Sequence, residues 1–110
     1  MNGGMWRRNM EDAVARLVGS WRTDPGDRRS LEEYSDVSLR FERDGMLIYT
    51  VHLKGKDQII HLTYRVEGSC LVTDQPSFPR EERGEFSIAS DGRLVLKSPP
   101  PAKPTFYVRV

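Results

Sequence analysis

From residue 37 onward, apolar and polar side chains alternate with a period of two, interrupted by short gaps that carry glycine. Val37, Leu39 and Phe41 form one such run, and Leu47, Tyr49 and Val51 the next. Ile60, Leu62, Tyr64 and Val66 follow, then Phe86 with Ile88 and Leu94 with Leu96. A period of two places each run on one face of an extended strand.

The gaps predict the pairing. Arg43-Asp44-Gly45 and Ser90-Asp91-Gly92 read as three-residue turns with glycine in the left-handed position. They set Phe41 opposite Leu47, Leu39 opposite Tyr49 and Val37 opposite Val51, and likewise Ile88 opposite Leu94 and Phe86 opposite Leu96. Gly55-Lys56 reads as a two-residue turn, placing Val51 opposite Ile60, Tyr49 opposite Leu62 and Leu47 opposite Tyr64. Glu67-Gly68 reads the same way, placing Val66 opposite Ser69 and Tyr64 opposite Leu71. All four turns bring one continuous apolar face together, and a slip of one residue in any of them would break it.

Upstream the period changes. Met10, Ala13, Val14 and Leu17 recur at spacings of three and four, which predicts a short helix capped by Asn9 with Glu11 and Asp12 in its first turn. Gly19 is expected to end it and Trp21 to open the first strand. Thr23 to Ser35, containing Asp24-Pro25-Gly26-Asp27, reads as a turn followed by a mobile loop. Residues 1–8 read as flexible, Asp74 to Arg83 as a long loop, and the four prolines of Ser98 to Pro104 as an extended connector. Thr105 to Val110 is the last strand. The sum is an all-β chain: an eight-stranded antiparallel up-and-down barrel with a short N-terminal helix, since closure removes both sheet edges.

At 110 residues the chain reads as one domain, residues 1–110. The charged residues nearly cancel to +1, which gives no push toward nucleic acid. Neither a leader nor a membrane span is legible, so a cytoplasmic protein is expected unless a leader has been removed. The single cysteine, Cys70, excludes an internal disulfide.

With Leu17-Val18-Gly19-Ser20-Trp21 opening the first strand, Phe41-Glu42-Arg43-Asp44-Gly45 at the first hairpin and Arg109 ending the last, the chain resembles the lipocalins. Within the wider calycin group it is most similar to the short bacterial lipocalin-like domains. The resemblance implies that Gly19 and Trp21 close one end of the barrel, with Arg109 lying across the tryptophan. It also implies carriage of a small hydrophobic molecule. The chain departs from transport lipocalins in being shorter and in lacking a disulfide.

Phe41, Tyr49, Leu62, Tyr64 and Phe86 are the candidate ligand contacts on the inner face, with Gln58 and Thr73 adding polar groups. Tyr107 and Arg109 share a strand face and could clamp a polar head. The alternative stacks Arg109 on Trp21, which avoids a buried unpaired charge. Phe106, Val108 and Val110 are rival inward positions on that strand. The leading expectation is non-enzymatic binding of a small, partly hydrophobic ligand inside the barrel. The rival is an interaction module with a filled interior, acting through its outer surface. An enzyme using the cavity is a third reading that rests on Arg109 and the tyrosines alone. No cofactor or metal is expected: His52 and His61 fall on the outer face without a third ligand. Met46, Ile48, Ile59 and Val72 share that outer face and suggest a homodimer.

Overall fold

The computed structural model describes residues 12–98 and 103–110. The cap at Asn9, the stretch 1–8, Met10 and Glu11 of the helix, and residues 99–102 of the proline-rich connector lie outside them. Helix α1 occupies residues 12–17. Strand β1 runs Gly19–Thr23, helix α2 Arg28–Tyr34, β2 Asp36–Phe41, β3 Met46–Leu53 and β4 Lys56–Glu67. Then come β5 Cys70–Asp74, β6 Glu82–Ile88, β7 Leu94–Lys97 and β8 Thr105–Arg109. Each strand pairs antiparallel with its sequence neighbour, and β8 returns to pair with β1, so the eight strands close into a barrel. Among the described residues, no helix is long and apolar enough to cross a membrane.

The two three-residue turns set the expected registers. Phe41 lies opposite Leu47 and Val37 opposite Val51, while Ile88 lies opposite Leu94. Gly45 and Gly92 take φ values of 91° and 89°, which side chains larger than hydrogen tolerate poorly. The two-residue turns differ from expectation. Lys54-Gly55, not Gly55-Lys56, joins β3 to β4, so Val51 faces Gln58, Tyr49 faces Ile60 and Leu47 faces Leu62. Gly68-Ser69, not Glu67-Gly68, joins β4 to β5, so Val66 faces Leu71 and Tyr64 faces Thr73. In both cases the turn sits one residue away from its expected place, which moves the register by two. The faces survive because two is the side-chain period. Position along the barrel does not: a two-residue shift moves β4 by about 7 Å against β3.

A second correction concerns the segment before β2. It is not a loop but contains α2, capped by Asp27, whose carboxylate accepts from the Ser30 backbone N–H at 3.2 Å and its hydroxyl at 2.7 Å. The same carboxylate accepts from the Phe106 N–H at 3.0 Å, and the Arg29 guanidinium donates to the Pro104 carbonyl. One side chain thus caps the helix and ties it to β8. Ser35, at the helix C-terminus, holds φ at 67° as the chain turns into β2.

The core fills the α1 end. Trp21 and Leu17 are wholly buried, and the indole Nε1 donates to the Leu17 carbonyl at 2.8 Å. Phe41 and Tyr64 meet edge to face, with ring centroids 5.0 Å apart. On the outer face, Val72 is only 1% exposed. Its register neighbours Arg65 on β4 and Arg83 on β6 both bind Glu67 and Glu81, closing a ring of four ion pairs across β5. The arginine stems span Val72 and shield it from water.

Folding lowers the Asp27 pKa below its ordinary 3.8: burial opposes the shift, but the bonds from Ser30 and Phe106 outweigh it. A carboxylate so shifted stabilises the fold above its ordinary value and loses that contribution as pH falls through the lowered one. Asp27→Ala is therefore expected to cost about 1–2 kcal/mol near neutrality. The gap between variant and wild type in urea unfolding should narrow progressively below about pH 4.

Candidate functional site

Above the packed floor the barrel is hollow. A cavity of about 270 Å³ opens at the end where β5 meets β6 and β7 meets β8. Its lower wall is apolar, formed by Leu39, Phe41, Leu47, Leu62, Leu71 and Leu96. Higher up stand Tyr49, Thr73, Thr105 and Tyr107, with Tyr34 of α2 beside the mouth. Glu82, Arg83, Glu85, Lys97 and Lys103 line the rim, two acidic side chains beside three basic ones.

Four of the expected ligand contacts meet in this cavity: Phe41, Tyr49, Leu62 and Tyr107. Thr73 joins them, whereas Gln58 is exposed on the β3–β4 hairpin. Tyr64 is elsewhere. The two-residue shift of β4 carries it down to the first hairpin, where its backbone N–H bonds the Gly45 carbonyl. Its hydroxyl donates to the Glu42 carbonyl at 2.7 Å. Phe86 packs against the core without reaching the cavity wall.

Strand β8 turns Tyr107 inward, where it is 7% exposed, and Phe106 outward, with the Arg93 guanidinium 4.7 Å above its ring. Arg109 lies at the opposite end from the mouth. Its guanidinium sits 4.1 Å over the Trp21 ring and donates to the carbonyls of Val18 at 2.9 Å and Arg16 at 2.7 Å. It therefore braces α1 against the barrel floor and does not share a head-group site with Tyr107. Gly19 makes room for it: a Cβ there would stand 2.6 Å from the Arg109 Nη1, at a φ of 125°.

The Tyr107 phenol is pushed well above its usual value by burial, with smaller contributions from Tyr49, Asp27 and Tyr34. Burial also raises Tyr49, helped by the Glu82 charge and by Tyr34. Both phenols are thus neutral at any physiological pH, and each can donate and accept one bond. Neither hydroxyl has a partner among the described residues. Among the described residues no side-chain oxygen sealed from solvent lacks one, so both open onto the cavity.

Sequence reading missed Tyr34, Glu82, Lys97 and Lys103. Tyr34 was reachable, because Asp27 three residues before Ser30 is a cap signal, and Arg29 and Glu33 pair four apart. The rim residues carry no local signature; chain closure alone assembles them. Among the described residues, no cluster of His, Cys, Asp and Glu is disposed to hold a metal ion.

Arg109→Ala is expected to lower stability by about 1–3 kcal/mol through loss of two bonds to carbonyls and the stacked indole. It should leave affinity for any cavity ligand within twofold, read by urea unfolding alongside probe titration. No protein-family model, curated protein or solved structure matches this chain.

Proposed function

We propose that the chain is a lipocalin-like binding protein that holds a small, partly hydrophobic ligand inside its barrel without transforming it, and that it works in the cytoplasm. The observation that carries this reading is the open cavity with an apolar floor and two unpartnered phenols, Tyr49 and Tyr107, in its upper wall. A cavity of this chemistry is what a small-molecule site requires.

Its volume limits the ligand. About 270 Å³ is just below the ~300–1,000 Å³ of pockets for drug-sized molecules. A ring or a short branched chain bearing one polar group fills it, and a longer chain would extend through the open mouth. The rim carries two glutamates against two lysines and Arg83, whose guanidinium is already paired with Glu67 and Glu81, so neither sign of charge dominates it. Neutral phenols instead suit an uncharged hydroxyl, carbonyl or amide. The apolar body would rest on Leu39, Leu62 and Leu71, with the polar group beneath Tyr107 and Tyr49.

A homodimer through the outer face would draw on Met46, Ile48 and Ile59, since Val72 lies under the charged ring. That leaves a narrower apolar strip than the sequence suggested.

A naphthalene-based fluorophore of about a dozen non-hydrogen atoms is expected to bind one to one, with micromolar affinity, as small apolar ligands of that size do. Tyr107→Phe should weaken a hydroxyl-bearing probe about tenfold through the lost bond. Leu62→Trp should abolish binding by filling the floor. Wild-type protein that fails to change the probe's emission at millimolar concentration would rule the reading out.

A further inference from the structure

Outside the barrel, on the face opposite the cavity wall, three side chains from adjacent strands form a directed chain of hydrogen bonds. The Ser38 Oγ on β2 lies 2.6 Å from the His52 Nε2 on β3. The His52 Nδ1 lies 3.1 Å from the Asp57 Oδ1 on β4. An ionised carboxylate only accepts, so Nδ1 carries the proton and Nε2 is left to accept from the serine hydroxyl. Nucleophile, base and orienting carboxylate then stand in the polarity that activates a serine in unrelated hydrolases.

The placement is built into the ladder. His52 is the register partner of Asp36 on one side and Asp57 on the other, so three hydrogen-bonded strands hold the triad. Ser38 is half-buried, and the His52 side chain is 27% exposed, leaving the nucleophile reachable. Arg22 on β1 is the register partner of Ser38, which puts their Cβ atoms about 5 Å apart. Asp36 fixes that guanidinium through Nε and Nη2, at 3.1 and 2.6 Å. Among the described residues Nη1 has no bond, and the Thr50 hydroxyl flanks Ser38 from β3; both are donors suited to a developing oxyanion. Ile59, 58% exposed, faces Thr50 in the row that also holds Arg22 and Ser38. It offers a short acyl chain an apolar surface.

We propose that Ser38 is a histidine-activated nucleophile that accepts short apolar acyl groups from small carboxylic esters. Its oxygen attacks the ester carbonyl carbon while its proton passes to the His52 Nε2. The carbon–alkoxy bond then breaks, and the departing alcohol takes that proton, leaving the acyl group on Ser38. Water repeats the sequence: its oxygen attacks the acyl carbon, His52 takes its proton, and Ser38 leaves with a proton returned from Nε2. The sum is ester and water to acid and alcohol. The ladder uses the strand N–H groups, so the oxyanion meets a side chain instead of a pair of backbone donors. Rate enhancement is accordingly set by general base catalysis, on the order of 10²–10⁴-fold.

A fluorophosphonate reagent and p-nitrophenyl butyrate test this on the full chain. Ser38 is expected to take up one phosphonyl group, located by peptide mass, and Ser38→Ala none. Asp57→Ala, an exposed change that removes the acceptor from Nδ1, should cut labelling and butyrate hydrolysis at least tenfold with unchanged unfolding midpoint. His52→Gln should do the same and His61→Gln, also on the outer face, should not. Labelling elsewhere than Ser38, no labelling of wild type, or equal rates in wild type and Asp57→Ala would overturn the assignment.

Discussion

A barrel of eight short strands exists only if its first strand can serve two neighbours at once, and Trp21 is where that demand is met. It stands in register with Leu39 on β2 and Arg109 on β8, wholly buried between them. The indole nitrogen is satisfied by the Leu17 carbonyl, which fixes α1 across the barrel end. The indole face takes the Arg109 guanidinium, which binds two further carbonyls around the α1 terminus. The same residue thus seals the floor and joins the two edges of the sheet. A large aromatic ring does this well because it buries much apolar surface while its one polar atom finds a partner.

The sealed floor explains why a cavity can survive above it. Trp21, Phe41, Leu17 and Tyr64 concentrate bulk at one end, and Tyr64 meets Phe41 edge to face. The other end has leucines below and a ring of tyrosines and threonines above. Volume is therefore distributed unevenly along the axis, and the polar groups that remain unpartnered sit where water or a ligand can reach them. Burying those phenols dry would leave donors unmet at a cost of about 1–3 kcal/mol each, so a filled interior is disfavoured by the residues chosen to line it.

Side-chain face was readable from the sequence and axial depth was not, for one reason. Alternation reports parity, and every inner residue from Val37 to Leu96 obeys it. Depth depends on which residue of a two-residue turn takes the left-handed conformation. Gly55 is the second turn residue at φ 80° and Gly68 the first at φ 64°, the reverse of the sequence reading in both cases. The resulting shift of two changed no face but moved Tyr64 from the cavity to the floor. It also hid the outer triad. In the expected register His52 faces Ile59; in the observed one it faces Asp57. Helix α2 escaped for a different reason: at seven residues it has too little apolar periodicity to register, and what holds it is Asp27 bonded to β8.

The two candidate sites share strands and differ only in parity. Along β2, Leu39 and Phe41 line the cavity while Ser38 faces outward; along β3, Leu47 and Tyr49 line it while His52 faces outward. Adjacent residues thus serve opposite sides of one sheet, and the backbone between them is pinned by ladders on both flanks. That geometry makes the sites chemically independent, since no side chain belongs to both. It also makes them mechanically coupled, since a bulge in β2 or β3 would disturb both. A rigid sheet is a good foundation for each: the cavity needs fixed walls to exclude water, and a nucleophile, base and carboxylate need fixed separations to pass a proton.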